Sequence, residues 1–490
     1  MVSNVQPTKC GLDHISRITN RRLEDFAMKR YLLSLIIWVV LPFSVFCAEK
    51  EEPLLRVGIL SDVHLLSKQT ALDSVFRSVL EFYRAKGADA VILAGDFGRD
   101  AVEGEIAKVA RIWYSVFPDN KGLDGKNVEK IFIYGNHEID GHKYGAAQTR
   151  NSAEYLAEHN IPDHRAEYWE KYFNEPYQNI YRKDVKGYTF IAAHYVQKRE
   201  TPGLQEFFDE QEPTLPPIDK PFFYIQHIHP RGAHPSVGDN GKSTKILSKY
   251  PNVIAVSGHT HNALSSERSI WQGAYTSIAA GSLKDVGMLK DRENGKVFTD
   301  KDYVSQMPTN RCPHAHQGLY MEVFEDRVEI DRYIFHHMEY LGKWIFPTDV
   351  TQRPYSYRER KAKYAEYPPV FAKRSKVYIE RILGRDRKKK QLSQVKVSFP
   401  VSVSTNLTLR AFEYRVSAER QDADTTVTVV SKYVHSPYFY MSEKTDKQRG
   451  AECVFAEFEL PYGVPFRFAV RPIDCFGNEG KPIYSKYFEL

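Results

Sequence analysis

Cysteine is scarce in this chain, with five in 490 residues (Cys10, Cys47, Cys312, Cys453 and Cys475), and no two are spaced as Cys-x-x-Cys. That spacing argues against a thiolate zinc site. One disulfide stays open, Cys453 with Cys475, should the chain fold in an oxidising compartment. A large excess of one charge is also missing. The formal net charge is +6, and the first 48 residues hold six Lys/Arg against three Asp/Glu, which leaves +3 for the remainder. Near-neutrality at this size, with no basic aromatic stripe, gives no argument for a nucleic-acid partner. Nor is there a long unbroken apolar run. Tyr31 to Cys47 comes closest, and Pro42 interrupts it. Lys29-Arg30 precedes this run and Glu49-Lys50-Glu51-Glu52 follows it, the order of a signal peptide, with Met28 as its natural start. A transmembrane anchor is the alternative, but the run is short for a span and no basic flank follows. Residues 1–48 are therefore read as a signal-peptide region and the chain as extracytoplasmic, periplasmic or secreted. Membrane contact is expected only if this segment is retained or Cys47 is lipidated, and the bulk of Phe46 disfavours lipidation.

Apolar residues make up 42% of the chain and aromatics 13%, enough for a sizeable core and two or three domains. The organising stretch is Leu55 to Asp96. Arg56-Val57-Gly58-Ile59-Leu60 ends in Ser61-Asp62-Val63-His64, and Ala90-Val91-Ile92-Leu93-Ala94 ends in Gly95-Asp96. Between them Leu72, Val75, Phe76, Val79, Leu80 and Tyr83 recur with a helical period, and Gly87 is placed to end that helix. Strand, helix, strand is a right-handed βαβ unit that puts Asp62, His64 and Asp96 on one sheet edge.

The same pattern recurs downstream. A helix is expected from Glu103 to Val116. The strand Lys130 to Tyr134 ends in Gly135-Asn136-His137-Glu138, and Tyr188 to Ala193 ends at His194. Phe222 to Ile225 ends in Gln226-His227-Ile228-His229, and Val253 to Val256 ends in Ser257-Gly258-His259-Thr260-His261. Any one of these is weak, because a lone histidine after a strand is more often a cap or a core residue. Their shared position at strand ends is what carries weight. Leu319 to Phe324 and Arg327 to Arg332 alternate around Glu325-Asp326 and form a hairpin, expected to close the second sheet of the catalytic domain. Residues 346–391 are read as a basic connector, whose run Arg385-Asp386-Arg387-Lys388-Lys389-Lys390 is a solvated linker. From 392 to 490 short alternating strands predict a β-sandwich accessory domain.

The candidates in order are Asp62, His64, Asp96, Asn136, His137, His227, His259 and His261. Carboxylates, an amide oxygen and imidazoles suit Mn, Fe or Zn rather than Ca. Seven ligands are too many for one ion. Two ions about 3.5–4 Å apart, sharing one carboxylate, use them economically, polarise a phosphoryl group and hold a bridging hydroxide. A further imidazole can protonate the leaving oxygen.

Asp62-x-His64, Gly95-Asp96, Gly135-Asn136-His137-Glu138, His227 and Gly258-His259-Thr260-His261 together resemble the five signature blocks of the calcineurin-like metallophosphoesterases. The resemblance implies an α/β fold, a four-layer αββα sandwich over residues 53–345. It assigns Asp62, His64 and His261 to one metal and Asn136, His227 and His259 to the other, with Asp96 bridging and His137 facing the scissile phosphate. Either His227 or His229 could be the ligand of its block, and His227 is favoured because it directly follows the strand. Arg99, His229 and His194 are candidate substrate contacts. Arg99 is as readily a solvated loop residue, and a structural role suits His194 better. Purple acid phosphatases carry a tyrosine where Arg99 stands, so that subclass is excluded. The run Glu267 to Gly273 is similar to that of secreted bacterial members, and the turn Asp474 to Gly480 resembles the last hairpin of fibronectin type III modules.

The expected activity is hydrolysis of a small phosphodiester or phosphomonoester, the diester preferred, by a metal-bridged hydroxide, with no nucleic-acid or protein partner called. A nuclease on the same site and a non-catalytic metal-binding scaffold are the alternatives.

Overall fold

The computed structural model describes residues 51–141, 164–196, 199, 201–234, 238–287, 311–312, 315–352, 357–385, 389–403, 405, 408–436, 439 and 450–490. The signal-peptide region lies outside them. Among the described residues no helix is long and apolar enough to cross a membrane.

Two six-stranded sheets stack face to face. The first contains β1 (Leu55–Leu60), β2 (Ala90–Ala94), β3 (Glu129–Ile133), β12 (Gln317–Val323), β13 (Arg327–Ile334) and β14 (Glu339–Pro347), in the order β14-β13-β12-β1-β2-β3. The second contains β4 (Ile180–Val185), β5 (Tyr188–Ala193), β6 (Phe222–Gln226), β7 (Val253–Ser257), β8 (Ile270–Gln272) and β9 (Thr276–Ala279), in the order β4-β5-β6-β7-β9-β8. Strands β1, β2 and β3 are mutually parallel, as are β5, β6, β7 and β9, so each set has its C-terminal ends on one edge.

These strands are apolar at nearly every position because both faces are covered. Val57, Ile59, Ile92 and Ile131 point between the sheets, against Phe190, Phe223 and Ile254. Leu60, Val91, Leu93 and Phe132 point outward onto helices α1 (Ala71–Ala85), α2 (Glu103–Val116) and α4 (Arg165–Phe173), the last of which follows the short α3 (Asn136–Asp140). The second sheet is covered by α5 (Leu204–Gln211) and α6 (Lys242–Leu247). The four layers αββα are thus present.

Helix α1 starts where Thr70 and Asp73 form a capping box, the Asp73 carboxylate accepting from Thr70 Oγ1 at 3.0 Å. Phe76, Val79, Leu80 and Tyr83 of the expected stripe are buried, and Gly87 takes φ +70° just past the helix end. The α2 bounds match the expectation. Strand β4 and helices α5 and α6 were not anticipated, since they are short and their apolar positions too few to set a period.

Two expectations need correction, and one open possibility is closed. The 317–334 hairpin extends the first sheet, not the second: β12 pairs antiparallel with β1, placing Val57 opposite Met321 and Ile59 opposite Leu319. The edge of β1 away from β2 is apolar on both faces and is buried by that pairing. The span 346–391 is not only a connector. It holds helix α7 (Tyr357–Ala365) and strand β15 (Tyr378–Arg385), whose partner is β16 (Gln391–Pro400), while positions 386–388 of the basic run lie outside the described residues. Cys453 and Cys475 form no disulfide, and both are buried thiols. They lie in different apolar clusters, Cys453 inside the C-terminal domain and Cys475 where that domain meets the catalytic one.

The C-terminal domain has a three-stranded sheet, β15-β16-β19, and a four-stranded sheet, β18-β17-β20-β21, with β17 Glu413–Asp422, β18 Thr425–His435, β19 Gly450–Ala456, β20 Phe466–Ile473 and β21 Ile483–Tyr484. Val395, Val397, Tyr414, Val416, Phe455 and Phe468 form the core between them, consistent with a β-sandwich. Between the catalytic sheets and this domain, β10 (Val286–Gly287) and β11 (Arg311–Cys312) make a short ladder.

Candidate metal centre

Every site candidate sits just past a parallel strand: Asp62 and His64 after β1, Asp96 after β2, Asn136 and His137 after β3, His227 after β6, His259 and His261 after β7. The chain turns sharply at each place. Asp62, His64, Asp96, His259 and His261 all have positive φ, between 51° and 67°. Side chains avoid this region, at a cost of roughly 1–3 kcal/mol each. Five such residues in one cluster mean that the surrounding packing holds them there. The motif glycines supply the room. A Cβ at Gly95 would lie 2.5 Å from His227 Nδ1, and one at Gly258 would lie 2.6 Å from Asp62 Oδ2.

The donor atoms converge in three overlapping groups: Asp62, His64 and His261; His64, Asp96 and His137; Asp96, His227 and His259. His261 Nε2 lies 3.1 Å from Asp62 Oδ1 and 3.3 Å from His64 Nε2. His227 Nε2 lies 3.0 Å from Asp96 Oδ2 and 3.1 Å from Asn136 Oδ1, and His259 Nδ1 is 2.8 Å from the same amide oxygen. Asp62 and Asp96 are buried, as are His64, His227 and His261.

The outer nitrogens define the tautomers. His227 Nδ1 is 2.8 Å from the carbonyl of Ala94, and His261 Nδ1 is 2.8 Å from the carbonyl of Asp285 and 2.7 Å from its carboxylate. Those oxygens carry no proton, so each Nδ1 donates. Each Nε2 then turns a lone pair toward a carboxylate oxygen about 3 Å away, which repels unless a cation or a proton lies between. The donor set therefore fits metal ions. Without them protons take the place. Burial lowers the affinity of His227 and His261 for a proton, but Asp96 beside the first and Asp62 beside the second outweigh it, pushing them up to about 9 and about 10. The carboxylates respond in kind. Burial opposes ionisation, yet His261 holds Asp62 down to about 2, and His227 holds Asp96 lower still. Burial and the charge of His227 lower His259 to about 4.

His137 stands beside these groups, its ring edge-on to His64 with centroids 4.4 Å apart. Its Nδ1 is 2.7 Å from the carbonyl of Arg99, which fixes the proton on that nitrogen, and its backbone N–H donates to Asp96 Oδ1 at 2.8 Å. Arg99 thus reaches the site through its backbone, while its guanidinium is half exposed and 3.6 Å from Asp100.

Neither of the other two candidates belongs to the three donor groups among the described residues. His194 is buried among Tyr134, Trp169 and Tyr177, and its Nδ1 accepts from the Tyr134 N–H at 2.9 Å, a structural role rather than a substrate contact. His229 is fully buried against His234, ring centroids 5.4 Å apart, and does not line an open pocket; His227 is the residue of its block that joins the cluster.

Two functional residues were not singled out from sequence. Asp285 orients His261, but it lies six residues past β9, outside the strand-end window that marked the others. Glu138 was seen within its motif without a role. Its carboxylate accepts from the N–H groups of Asp96 (3.0 Å), Gly98 (2.6 Å) and Gly135 (2.7 Å), locking the β2 and β3 loops together. Burial and then the negative Asp96 raise it to about 8 against those bonds.

Residues 55–263 match the family of calcineurin-like phosphoesterases, a family that binds two metal ions, and they fold as a metallophosphoesterase domain. Similar solved structures include a dimetal phosphatase from Danio rerio, 12% identical with a TM-score of 0.32, the match covering 60% of this chain and 99% of that one. Another is the protein TT1561 of Thermus thermophilus, 14% identical with a TM-score of 0.29, covering 48% and 93%. A third is the protein of unknown function AQ665 from Aquifex aeolicus, 20% identical with a TM-score of 0.18, covering 39% and 86%. No curated protein matches the chain.

Proposed function

We propose that this chain is an extracytoplasmic, dimetal-dependent phosphoesterase that hydrolyses a small phosphodiester in preference to a phosphomonoester. The observation that carries the reading is the overlap of the three donor groups, which share His64 and Asp96. One metal would be held by Asp62, His64 and His261, the other by Asn136, His227 and His259, and Asp96 would touch both. The bound pair would be Mn, Fe or Zn, by the oxygen and imidazole character of the set, and would supply Lewis-acid activation of the phosphoryl group and of water.

The remaining steps belong to this chain's side chains. Ala94 and Asp285 hold the Nδ1 protons of His227 and His261, so both rings offer Nε2 to the centre. Arg99 holds the Nδ1 proton of His137, so Nε2 faces the centre, and the ring gives a proton to the leaving oxygen from its imidazolium form, in which both nitrogens are protonated, returning to the neutral Nδ1–H ring. Placement outside the cytoplasm rests on the sequence of Lys29-Arg30, the apolar run to Cys47 and the acidic residues after it.

The test is hydrolysis of bis-p-nitrophenyl phosphate beside p-nitrophenyl phosphate by metal-free protein reconstituted with Mn²⁺, Fe²⁺ or Zn²⁺. Metal-dependent turnover of the diester is the expected result. Faster turnover of the monoester would make this a phosphatase. No turnover and no bound metal would sink the enzyme reading in favour of a scaffold.

A further inference from the structure

We infer that the C-terminal β-sandwich is part of the wall of the metal centre and fixes the His261–Asp285 pair, rather than being a separately tethered module. This rests on the dimetal reading above. Two loops carry that pair, and each passes under the sandwich. Ala263, two residues beyond His261, and Val286, next to Asp285, are fully covered in an apolar cluster with Leu409, Phe412 and Phe476 of the sandwich. These three lie outside the sandwich's own core, so that face of the domain is given over to the contact. Phe476 also stacks on Tyr364 of α7, ring planes 21° apart.

A second tie runs through Glu267, six residues beyond His261. Its side chain is fully buried, with Oε1 3.0 Å from Arg332 of β13 and Oε2 2.9 Å from Arg360 of α7, while Trp344 Nε1 donates to Oε2 at 3.1 Å. Arg360 also donates to the Glu267 carbonyl at 2.6 Å. A buried carboxylate is held in place only while its cations stay. One of the two comes from the segment that leads into the sandwich. The loop after His261 is therefore pinned at Ala263 by the sandwich, and at Glu267 by Arg332 and Trp344 of the first sheet together with Arg360 from beyond the catalytic sheets.

The two halves of the centre differ in this respect. The outer partner of His227 is the Ala94 carbonyl of β2, in the first catalytic sheet, and His259 turns its Nδ1 to Asn136, a donor of the same centre. His261 depends on Asp285, whose loop the sandwich covers. A ligand ring that loses its outer partner turns away from the metal. Loosening the sandwich contact should thus weaken one ion and spare the other.

The experiment loads the full-length chain with Mn²⁺ and reads ions per chain, affinities and the electron paramagnetic resonance spectrum. The wild type is expected to bind two ions with a spin-coupled signal. Phe476→Ala is expected to keep one ion at wild-type affinity, weaken the other roughly tenfold or more, and convert the signal to that of isolated Mn²⁺. Leu409→Ala, a smaller change on the same contact, should move each readout in the same direction should Phe476→Ala fail to fold. Two coupled ions at wild-type affinity in a folded variant would overturn the inference while leaving the dimetal reading standing. Equal weakening of both ions would overturn it too. A wild-type chain that binds no pair of ions would overturn both.

Discussion

The catalytic sandwich and the C-terminal sandwich are both built from two stacked sheets, yet they put backbone strain in different places. In the catalytic domain, five residues with positive φ are metal-ligand candidates at the ends of parallel strands. In the C-terminal domain, from β15 onward, the described non-glycine residues with positive φ are Lys389 and Ala423, each in the turn of a hairpin. Buried charge is handled differently too. Asp62, Asp96 and Glu138 are buried at the centre, facing imidazoles or backbone N–H groups. Away from the centre, in both domains, buried carboxylates are instead matched by permanent cations: Glu267 by Arg332 at 3.0 Å and Arg360 at 2.9 Å, and Glu419 by Arg471 at 3.0 Å and Arg467 at 3.6 Å. Strain that merely closes a turn is cheap and exchangeable. Strain that gathers carboxylates and imidazoles into one buried spot needs a surrounding structure that over-determines it, and a cation to make it worthwhile.

Breaking the comparison at its strongest point gives the largest effect. Asp96→Asn removes the carboxylate shared between the donor groups, and turnover is expected to fall roughly a thousandfold or more. Metal content should drop with it, while far-ultraviolet circular dichroism stays as in the wild type. His137→Ala should cost roughly 10²- to 10⁴-fold in kcat with both metals retained, since its Nε2 serves the leaving group rather than the ions. Full activity in metal-replete His137→Ala would remove that role.

Much of this contrast was legible in the sequence. The apolar runs ending in Asp62, Asp96, Asn136, His227 and His259 gave strands and ligand candidates together, because a strand buried on both faces has few other places for polar residues than its end. The stripe from Leu72 to Tyr83 gave α1 for the same periodic reason. What escaped was set by contacts distant in sequence. Asp285 meets His261 only because two loops fold side by side, and nothing local marks it. The sheet that the 317–334 hairpin joins depends on which edge is open to pairing, which is a property of the assembled fold. Strand β15 was hidden because Tyr378-Ile379-Glu380-Arg381-Ile382-Leu383 runs in apolar and charged pairs, with no alternation and no fully buried position, and its pairing with β16 defines it. His194 was flagged by the same strand-end rule that succeeded elsewhere, and burial among aromatic rings distinguishes it.

Two intermediate effects sharpen the contrast. Asp285→Ala leaves every donor atom in place but releases the His261 ring, so metal affinity should fall roughly 10- to 100-fold, read by titration with a metal indicator, with kcat per loaded chain less affected. The pH dependence follows from the raised His227 and His261. Below about 9 and about 10 respectively these rings are protonated in the metal-free site. A metal must displace those protons, so apparent affinity should rise with pH, about tenfold per unit for each proton released. Affinity that is flat between pH 6 and 8 would mean that the rings are already neutral.

The smallest effect is expected on the outer face of the C-terminal domain. Val429 lies on β18 with 44% of its surface exposed. Val429→Thr keeps the β-branched shape that an exposed strand accepts, so stability should change by less than about 0.5 kcal/mol in a denaturant titration. Metal content should not change, because the contact with the His261–Asp285 loops is made by Leu409, Phe412 and Phe476, from segments outside β18. A loss of metal on Val429→Thr would mean that the sandwich transmits disturbance as one rigid body rather than through that contact, and would erase the distinction between its two faces.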